Sequence, residues 1–247
     1  MTAGGGETLD TICGDVRILQ PARGGYRFTL DPLLLAHFAA ARRPRGKTVD
    51  LGTGSGIIAL VLARRFGRSE ITALELQPRL YALAARNVAL NGLERDVSVV
   101  LGDLRDAART LGAGTFAQVV CNPPYYPRAA RPPAAGGERA IARYELCCSL
   151  PDVASAAARL LREGGELCLC HRAARLAELL EALRAERLEP RRLRLVHPRV
   201  ERRATVALVG AVKGGRPRLE VEPPLYLHLR ATAELSPEVR RMIIPAP

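Results

Sequence analysis

The stretch Thr48-Val49-Asp50-Leu51-Gly52-Thr53-Gly54-Ser55-Gly56 passes from strand-forming residues to alternating glycines within a few positions. Its first four residues are typical of a buried strand, and the apolar run after Gly56 is typical of a helix. Glycines at such a turn let the backbone approach a ligand closely, and the free amides of the following helix favour a carboxylate or a phosphate. The turn therefore predicts a cofactor site at the end of a strand in an α/β domain.

Predicted strands and helices alternate along the chain on both sides of this turn. The predicted strands are residues 48–51, 71–75, 97–101, 118–121, 166–170, 192–196 and 205–212. The predicted helices are one that begins at Asp31, and residues 56–65, 79–90, 151–161 and 173–187. Alternation of this kind implies a mostly parallel sheet with helices on both faces.

The last two predicted strands are joined by only about eight residues, too few for the crossover that a parallel pair requires, so the final strand is predicted to run antiparallel. A mostly parallel sheet with one antiparallel strand near its end is the methyltransferase variant of the doubly wound fold. The predicted class is therefore a Rossmann-like α/β sheet with helices on both faces. We expect it to occupy residues 31–247, with a short C-terminal element, after an N-terminal extension of residues 1–30. That extension is predicted to carry a hairpin from residues 12–20 and 26–28.

One acidic residue ends the next strand and another follows the strand after it, where a cofactor at the glycine-rich turn would meet them. Glu75 lies 19 residues after Gly56, and a carboxylate there is able to accept both hydroxyls of a ribose. Asp103 follows the third strand, in a position to take an adenine amino group. A dinucleotide site is disfavoured because the third glycine of the turn comes too early for Gly-x-Gly-x-x-Gly. A glycine-rich turn without a ligand is the other alternative, and Asp50 is then expected mainly to hold the amides of the turn.

A second motif, Asn122-Pro123-Pro124-Tyr125, follows the fourth predicted strand and is expected at the same edge of the sheet. The Asn122 side-chain oxygen and the Pro123 carbonyl are two acceptors for the hydrogens of a planar amine, whose lone pair they would aim at a donor methyl group. The prolines stiffen the turn, and Tyr125 offers a face for stacking. Motif and turn together predict methyl transfer from S-adenosylmethionine to a nitrogen. A proline-rich turn without a chemical role is the alternative.

The net charge of +12 is carried almost wholly by arginine, since Lys47 and Lys213 are the only lysines. Such a balance suits a nucleic-acid partner, although arginine usage that follows genome composition produces the same charge. Seven arginines are predicted at the catalytic edge of the sheet, after the proline-rich motif or in the last inter-strand loop. They are Arg128, Arg131, Arg139, Arg143, Arg199, Arg202 and Arg203. Contacts to phosphates are predicted for them, with a solvated basic rim as the alternative.

The composition predicts a cytoplasmic protein with neither a metal site nor a membrane segment. The six cysteines lack the CxxC spacing of a zinc site, so buried thiols in a reducing cytosol are expected. No apolar run approaches the ~20 residues of a membrane helix. Residues 1–7 lack the basic-then-apolar pattern of a signal peptide.

On these residues the chain resembles the tRNA adenine-N6 methyltransferases that modify an adenosine beside the anticodon of a valine tRNA, within the wider class that shares the Asn-Pro-Pro-Tyr motif. The resemblance runs nearly from end to end. The segments that carry it are residues 28–31 and 33–35, the glycine-rich turn, Glu75, and residues 87–91, 122–126, 142–144 and 235–243.

The resemblance implies a role for each matching residue. The predicted cofactor-binding residues are Arg27, Thr29, Asp50, Gly52, Thr53, Gly54, Ser55, Glu75, Leu76, Asp103, Leu104 and Asn122. Those of the turn would surround the methionine part of S-adenosylmethionine, and Arg27 with Thr29 would close over the donor. Glu75 and Leu76 would hold the ribose and adenine, and Asp103 and Leu104 would meet the adenine edge. The predicted catalytic residues, which receive the target base, are Asn122, Pro123 and Tyr125.

Two departures leave the substrate open. Thr29-Leu30-Asp31-Pro32 stands where some family members have Gly-Thr-Asp-Gly, and Asp31 is expected to cap the first helix rather than to bind a ligand. The loop 127–138 is rich in proline, alanine and arginine. The motif itself does not distinguish adenine N6 from cytosine N4 or a glutamine amide.

An adenine in structured RNA, most of all tRNA, is the predicted target, and three alternatives stay open. A protein glutamine N5-methyltransferase usually carries a helical domain, for which the sequence before Asp50 leaves no room. A DNA adenine-N6 methyltransferase would be expected to have a separate target-recognition domain. A methyltransferase fold that binds RNA without turnover is disfavoured by the intact Asn-Pro-Pro-Tyr motif.

Overall fold

The computed structural model describes residues 6–22, 29–42, 44–123, 125, 148–229 and 234–243. Within them the strands are β1 (Glu7–Ile12), β2 (Val16–Pro21), β3 (Thr48–Leu51), β4 (Ile71–Glu75), β5 (Val97–Leu101), β6 (Phe116–Cys121), β7 (Leu161–Arg172), β8 (Leu188–Arg199), β9 (Val206–Lys213), β10 (Glu220–Val221) and β11 (Leu225–His228). The helices are α1 (Asp31–Ala40), α2 (Ile57–Phe66), α3 (Pro78–Leu90), α4 (Ala107–Leu111), α5 (Leu150–Leu160), α6 (Leu176–Ala185) and α7 (Pro237–Ile243).

The central sheet has the strand order β10-β8-β9-β7-β6-β3-β4-β5, and β11 also pairs with β8. Strands β3, β4, β5, β6 and β7 run parallel to one another, whereas β9 is antiparallel to both β7 and β8. The predicted fold class, a mostly parallel sheet with an antiparallel strand, is therefore confirmed. Strands β10 and β11, which follow β9 and pair parallel with β8, were not predicted. The parallel strands end at one edge, here called the carboxyl edge, where ligands of such sheets bind.

Helices cover both faces of the sheet because successive side chains of each strand point to opposite sides. One core contains Val120 and Cys170 together with the apolar sides of α1 and α2. The other contains Val119 and Leu169 together with α5 and α6. Cys168 shares the first core with Cys170, and both residues are buried.

Strand β7 is longer than the predicted 166–170, since it begins at Leu161. Its pairing with β6 shifts register between Phe116 and Gln118, so the extra residues form a bulge. Gly165 lies in this bulge, where an added Cβ would be 2.9 Å from the carbonyl oxygen of Arg162. The predicted helix 151–161 matches α5, which ends at Leu160.

The N-terminal hairpin is present, with strands that differ from the predicted ones. β1 and β2 pair antiparallel, from Glu7 opposite Pro21 to Ile12 opposite Val16. The turn between them has positive φ at Cys13 and at the glycine after it, so the predicted strand 12–20 is interrupted at its start. The other predicted strand, residues 26–28, lies outside the described residues.

Asn87 of α3 and Asn91, which caps the end of this helix, attach the hairpin to the domain. Asn87 accepts a hydrogen bond from Leu19 N (2.7 Å) and donates to Leu19 O (3.1 Å) and to Ser55 O (2.9 Å). Asn91 makes the same pair of bonds with the backbone of Arg17, at 2.9 and 2.7 Å. Residues four apart share a helix face, and residues two apart share a strand edge. The side-chain amides of α3 therefore satisfy the free edge of β2.

The C-terminal helix α7 lies against α1. His37 Nε2 on α1 donates to the carbonyl oxygen of Met242 at 2.8 Å. Burial lowers the pKa of His37 to about 4, so the ring is a neutral donor at physiological pH. Among the described helices, none is long and apolar enough to cross a membrane.

Candidate active site

The glycine-rich turn joins β3 to α2 through left-handed backbone. The φ angle is +70° at Gly52, +61° at Gly54 and +88° at Gly56, values that residues with a Cβ rarely adopt. Gly54 N donates to Glu75 Oε2 at 2.8 Å, which fixes the turn to the end of the neighbouring strand β4. The chain therefore needs these glycines for its path, whatever ligand it binds.

Asp50 supports the turn from below. Its side chain has no exposed surface, and its Oδ2 accepts a hydrogen bond from Thr53 Oγ1 at 2.5 Å. Burial raises the pKa of Asp50 to about 7. The prediction that Asp50 mainly holds the turn agrees with this position, because the residue does not line the cleft described below.

Glu75 is oriented by two backbone amides at the end of β4. Its Oε2 accepts from Gly54 N at 2.8 Å, and its Oε1 accepts from Gln77 N at 2.9 Å. Only 4% of the residue is exposed, yet it lines the cleft. These two hydrogen bonds fix the orientation of the carboxylate at the cleft.

Asp103 follows β5 and is held in its charged form. The Arg105 guanidinium bonds both carboxylate oxygens, and Arg105 N donates to Oδ1 at 2.9 Å. This guanidinium lowers the pKa of Asp103. An ionised carboxylate therefore stands at the wall of the cleft, as an acceptor for an exocyclic amine.

A single cleft at the carboxyl edge collects most of the predicted site residues. It encloses about 900 Å³, a volume that includes the open solvent at its mouth. The predicted residues on its wall are Gly52, Thr53, Gly54, Glu75, Leu76, Asp103, Leu104, Asn122 and Pro123. Unpredicted lining residues include Pro32, Gln77, Leu80, Cys121 and Cys148. Of these, Gln77 lies in a loop directly after a parallel strand, a signal that marks a region and not a residue, whereas Pro32 and Leu80 are helical and Cys121 ends β6.

Four predicted residues lie elsewhere. Ser55 is buried and, like Asp50, is absent from the wall. Thr29 is exposed, forms a hydrogen bond with Asp31 and does not line the wall. Tyr125 lies behind the wall, as described next. Arg27 lies outside the described residues, so its contact with a cofactor stays a prediction.

The side-chain oxygen of Asn122 is the centre of a hydrogen-bond network. It accepts from the Tyr125 hydroxyl at 2.9 Å and from the Cys170 thiol at 2.8 Å. The same hydroxyl lies 2.9 Å from Asp31 Oδ2, and its ring meets His171 edge-on with centroids 5.7 Å apart. Tyr125 is therefore partly buried against the core in this structure, so its stacking on a target base stays a prediction.

Asp31 differs from its predicted role as a helix cap. It is the first residue of α1, whose N-cap position is Leu30, and the helix start has no side-chain cap. Burial raises the pKa of Asp31, while hydrogen bonds from Tyr125 and Thr29 favour its ionised form. The carboxylate thus serves the Asn-Pro-Pro-Tyr loop rather than the helix end.

Arg175 holds the main chain of the same loop. Its Nη1 donates to the carbonyl oxygen of Tyr125 at 3.2 Å, and Glu178 grips the guanidinium through two bonds. The two charged residues are three apart at the start of α6, a spacing that places them on one helix face. The sequence shows that spacing, but nothing in it connects the pair to the loop.

The described arginines of the predicted partner set lie at the carboxyl edge. Arg199 ends β8, and Arg202 and Arg203 follow in the turn toward β9; all three are exposed. Ala173 N at the end of β7 donates to Thr205 O at 3.0 Å, so this turn lies beside the strand end that carries Cys170. The other four, Arg128, Arg131, Arg139 and Arg143, lie outside the described residues.

Comparison with known proteins identifies the chemistry of this cleft. The family model described as Methyltransferase small domain matches residues 31–185. A tRNA1(Val) (adenine(37)-N6)-methyltransferase from Porphyromonas gingivalis is 31% identical over 133 residues, 53% of this chain and 51% of that protein. A release factor glutamine methyltransferase from Deinococcus radiodurans is 38% identical over 144 residues, 56% of this chain and 49% of that protein. The chain thus spans about half the length of these relatives.

The fold is also similar to that of a solved structure. A predicted O-methyltransferase from Agrobacterium tumefaciens has a TM-score of 0.68 and is 26% identical, over 86% of this chain and 94% of that one. The resemblance to methyltransferases is therefore confirmed.

The cleft fits S-adenosylmethionine, the predicted cofactor. Left-handed glycines leave room beside the turn, since an added Cβ at Gly52 would meet no atom within 4 Å. The fixed carboxylate of Glu75 suits the ribose, and ionised Asp103 suits the adenine amine. No His, Cys, Asp and Glu group within the described ranges is arranged to hold a metal ion.

Proposed function

Because the chain belongs to the methyltransferase small domain family, we propose that it transfers a methyl group from S-adenosylmethionine to the exocyclic N6 amine of an adenine in structured RNA, most of all tRNA. One observation carries the proposal. Asn122 and Pro123 line the same cleft as Gly52, Glu75 and Asp103. The acceptor motif therefore stands next to the donor site.

The turn and the two carboxylates hold the donor in one orientation. Glu75 accepts the ribose hydroxyls, Asp103 accepts the adenine amine, and Gly52 to Gly54 give the methionine part access to backbone amides. When bound, S-adenosylmethionine supplies an electrophilic methyl group on a sulfonium. Most of the remaining wall is apolar, and its side chains include those of Ile57, Leu74 and Leu104.

The acceptor loop orients the amine. Asn122 Oδ1 and the Pro123 carbonyl accept its two hydrogens, which turns the nitrogen lone pair toward the methyl group. Orientation and electrostatic stabilisation supply the rate enhancement. The loop needs no general base before transfer, because the amine loses its proton only after the new bond has formed.

The basic residues of the carboxyl edge favour a nucleic acid as the substrate. Arg199, Arg202 and Arg203 are exposed at the same carboxyl edge of the sheet as the cleft. Phosphate contacts there would position a structured RNA and leave base selection to the cleft. The tRNA-modifying relative at 31% identity supports the same substrate class.

A protein glutamine amide is the second candidate, favoured by the release-factor-modifying relative. A primary amide offers the same two hydrogens to Asn122 and Pro123, so the acceptor loop alone does not exclude it. RNA is placed first because of the exposed arginines at the carboxyl edge of the sheet.

The test is methyl transfer from labelled S-adenosylmethionine to bulk tRNA, bulk DNA and release-factor protein in parallel. The expected product is N6-methyladenosine in tRNA alone, identified by nucleoside analysis. Label in the release factor would replace the proposal by the glutamine reaction, and label in DNA would replace RNA as the substrate. Absence of label from all three would refute the catalytic proposal in favour of RNA binding without turnover.

A further inference from the structure

The hydroxyl of Tyr125 lies between two acceptors. It is 2.9 Å from Asn122 Oδ1 and 2.9 Å from Asp31 Oδ2. A hydroxyl has one proton to donate, so Tyr125 forms a full hydrogen bond with only one of these acceptors at a time. Whether the hydroxyl bonds Asp31 or Asn122 determines how many donors the Asn122 oxygen already has when a substrate binds.

The Asn122 oxygen has two lone pairs, and the Cys170 thiol faces one of them. The Cys170 sulfur lies 2.8 Å from this oxygen and 3.1 Å from the Tyr125 hydroxyl. Burial raises the pKa of Cys170 well above its ordinary value, so the thiol keeps its proton. The second lone pair is left either for the Tyr125 hydroxyl or for the amine of the target.

A carboxylate at Asp31 is a stronger acceptor than the amide oxygen of Asn122. Hydrogen bonds to charged groups are about twice as strong as those between neutral groups. Burial raises the pKa of Asp31, and hydrogen bonds from Tyr125 and Thr29 act against that shift. Arg175 further limits the motion of Tyr125 by bonding its carbonyl oxygen at 3.2 Å.

We propose that Asp31 is a positioning residue: by accepting the Tyr125 hydroxyl, it keeps one lone pair of the Asn122 oxygen open to the target amine. The inference rests on the proposed function, in which that oxygen accepts a hydrogen of the amine. It makes the start of α1 part of the acceptor site, although Asp31 touches neither substrate nor donor.

The inference predicts an unusual interaction between two substitutions. In Asp31→Asn the charged acceptor is gone, so the Tyr125 hydroxyl turns to Asn122 and competes with the amine. We expect kcat to fall about 10- to 100-fold, the loss that corresponds to one hydrogen bond to a charged group. The KM for S-adenosylmethionine should change little, because the cofactor cleft is intact.

Tyr125→Phe removes the competing proton and keeps the ring. On that background Asp31→Asn should lower kcat no further, so the double variant should match Tyr125→Phe alone. The assay uses labelled S-adenosylmethionine with tRNA, and thermal unfolding checks that each variant is folded. Asp15→Asn is the matched control, since this carboxylate lies in the exposed hairpin turn and pairs with Arg64; it should leave kcat unchanged.

Independent losses in the double variant would overturn the inference while leaving the proposed function intact. A wild-type protein that binds S-adenosylmethionine but methylates neither tRNA, DNA nor release factor would overturn both. If Asp31→Asn does not fold, Asp31→Ala with and without Tyr125→Phe gives the same comparison. A larger effect on the KM for S-adenosylmethionine than on kcat would show that Asp31 serves the donor instead.

Discussion

Asp50 is a carboxylate with no exposed surface beneath a ligand-binding turn. Its ordinary pKa of 3.8 rises to about 7 in the folded protein, because burial disfavours the charge. Hydrogen bonds from Thr53 and from the backbone amide of Ala59 lower the pKa, the nearby Glu75 carboxylate raises it, and burial has the largest effect. The fold therefore prefers Asp50 protonated.

This preference predicts a pH dependence of stability. The contribution of Asp50 is fully present below pH 4 and is lost as pH rises through about 7, by at most about 1.4 kcal/mol per pH unit. Asp50→Asn removes the charge and keeps an acceptor for Thr53. In urea unfolding, the free energy of unfolding of the variant relative to that of the wild type should rise by about 1–2 kcal/mol between pH 5 and pH 7.5. A difference that does not change with pH would contradict the assignment.

Asn122 is predicted to act in transfer and not in donor binding. Asn122→Ala removes the acceptor for the target amine, and we expect kcat to fall about 100-fold or more, as for loss of one preorganised polar group at a reacting centre. Calorimetry should show binding of S-adenosylmethionine retained. Asn122→Asp is the matched variant, since it keeps an acceptor of the same size. Equal activity of Asn122→Ala and wild type would exclude the proposed role.

The sequence predicts residues of this site when their signal is local. The glycine-rich turn and Asp103 come directly after a strand, and Glu75 is the last residue of one. All three contribute residues to the wall of the cleft. The partners of Tyr125 have no such signal, because Asp31 is 94 residues away and Cys170 is 45 residues away along the chain. Only the packing of α1 and β7 around β6 brings these side chains together.

At the level of elements, α3 connects the hairpin to the glycine-rich turn. Asn87 bonds β2 through Leu19 and the turn through the carbonyl of Ser55. The sequence indicated a helix here and matched residues 87–91 to a family segment, but it gave no reason for two asparagines at this spacing. The reason is the unpaired edge of β2, which only the folded structure shows.

Asn87→Ala should destabilise the protein and weaken donor binding together. The substitution leaves buried backbone groups of Leu19 and Ser55 unsatisfied, at about 1–3 kcal/mol in the free energy of unfolding. Asn91→Ala is the control, because its bonds to Arg17 are exposed and water is able to replace them. Chemical denaturation and calorimetry with S-adenosylmethionine measure both effects. A loss of stability without any loss of donor affinity would show that the turn does not depend on Asn87.

At the level of the whole molecule, basic residues occupy both edges of the sheet, and only one edge is predicted to bind RNA. The triple alanine variant of Arg199, Arg202 and Arg203 should bind tRNA more weakly. Its slope of log affinity against log salt should be smaller, by up to about 0.7–0.9 for each phosphate that the variant no longer neutralises.

The control removes three exposed charges that precede β3 at the opposite edge, Arg42, Arg45 and Lys47. This variant should leave the tRNA affinity and its salt slope nearly unchanged, although its net charge falls by the same amount as in the first variant. Equal weakening in the two triple variants would show that total charge, and not a defined face, attracts RNA.

The antiparallel strand β9 has a consequence for synthesis on the ribosome. β7 and β8 do not pair with each other, because β9 lies between them, and β9 is the last of the three to be translated. A nascent chain that has just completed β8 therefore exposes apolar strand edges that no earlier segment covers. At about 5–20 residues per second this exposure is brief, but a ribosome that stalls before Val206 would leave it in place. Chaperone binding and degradation of stalled chains should concentrate at that length.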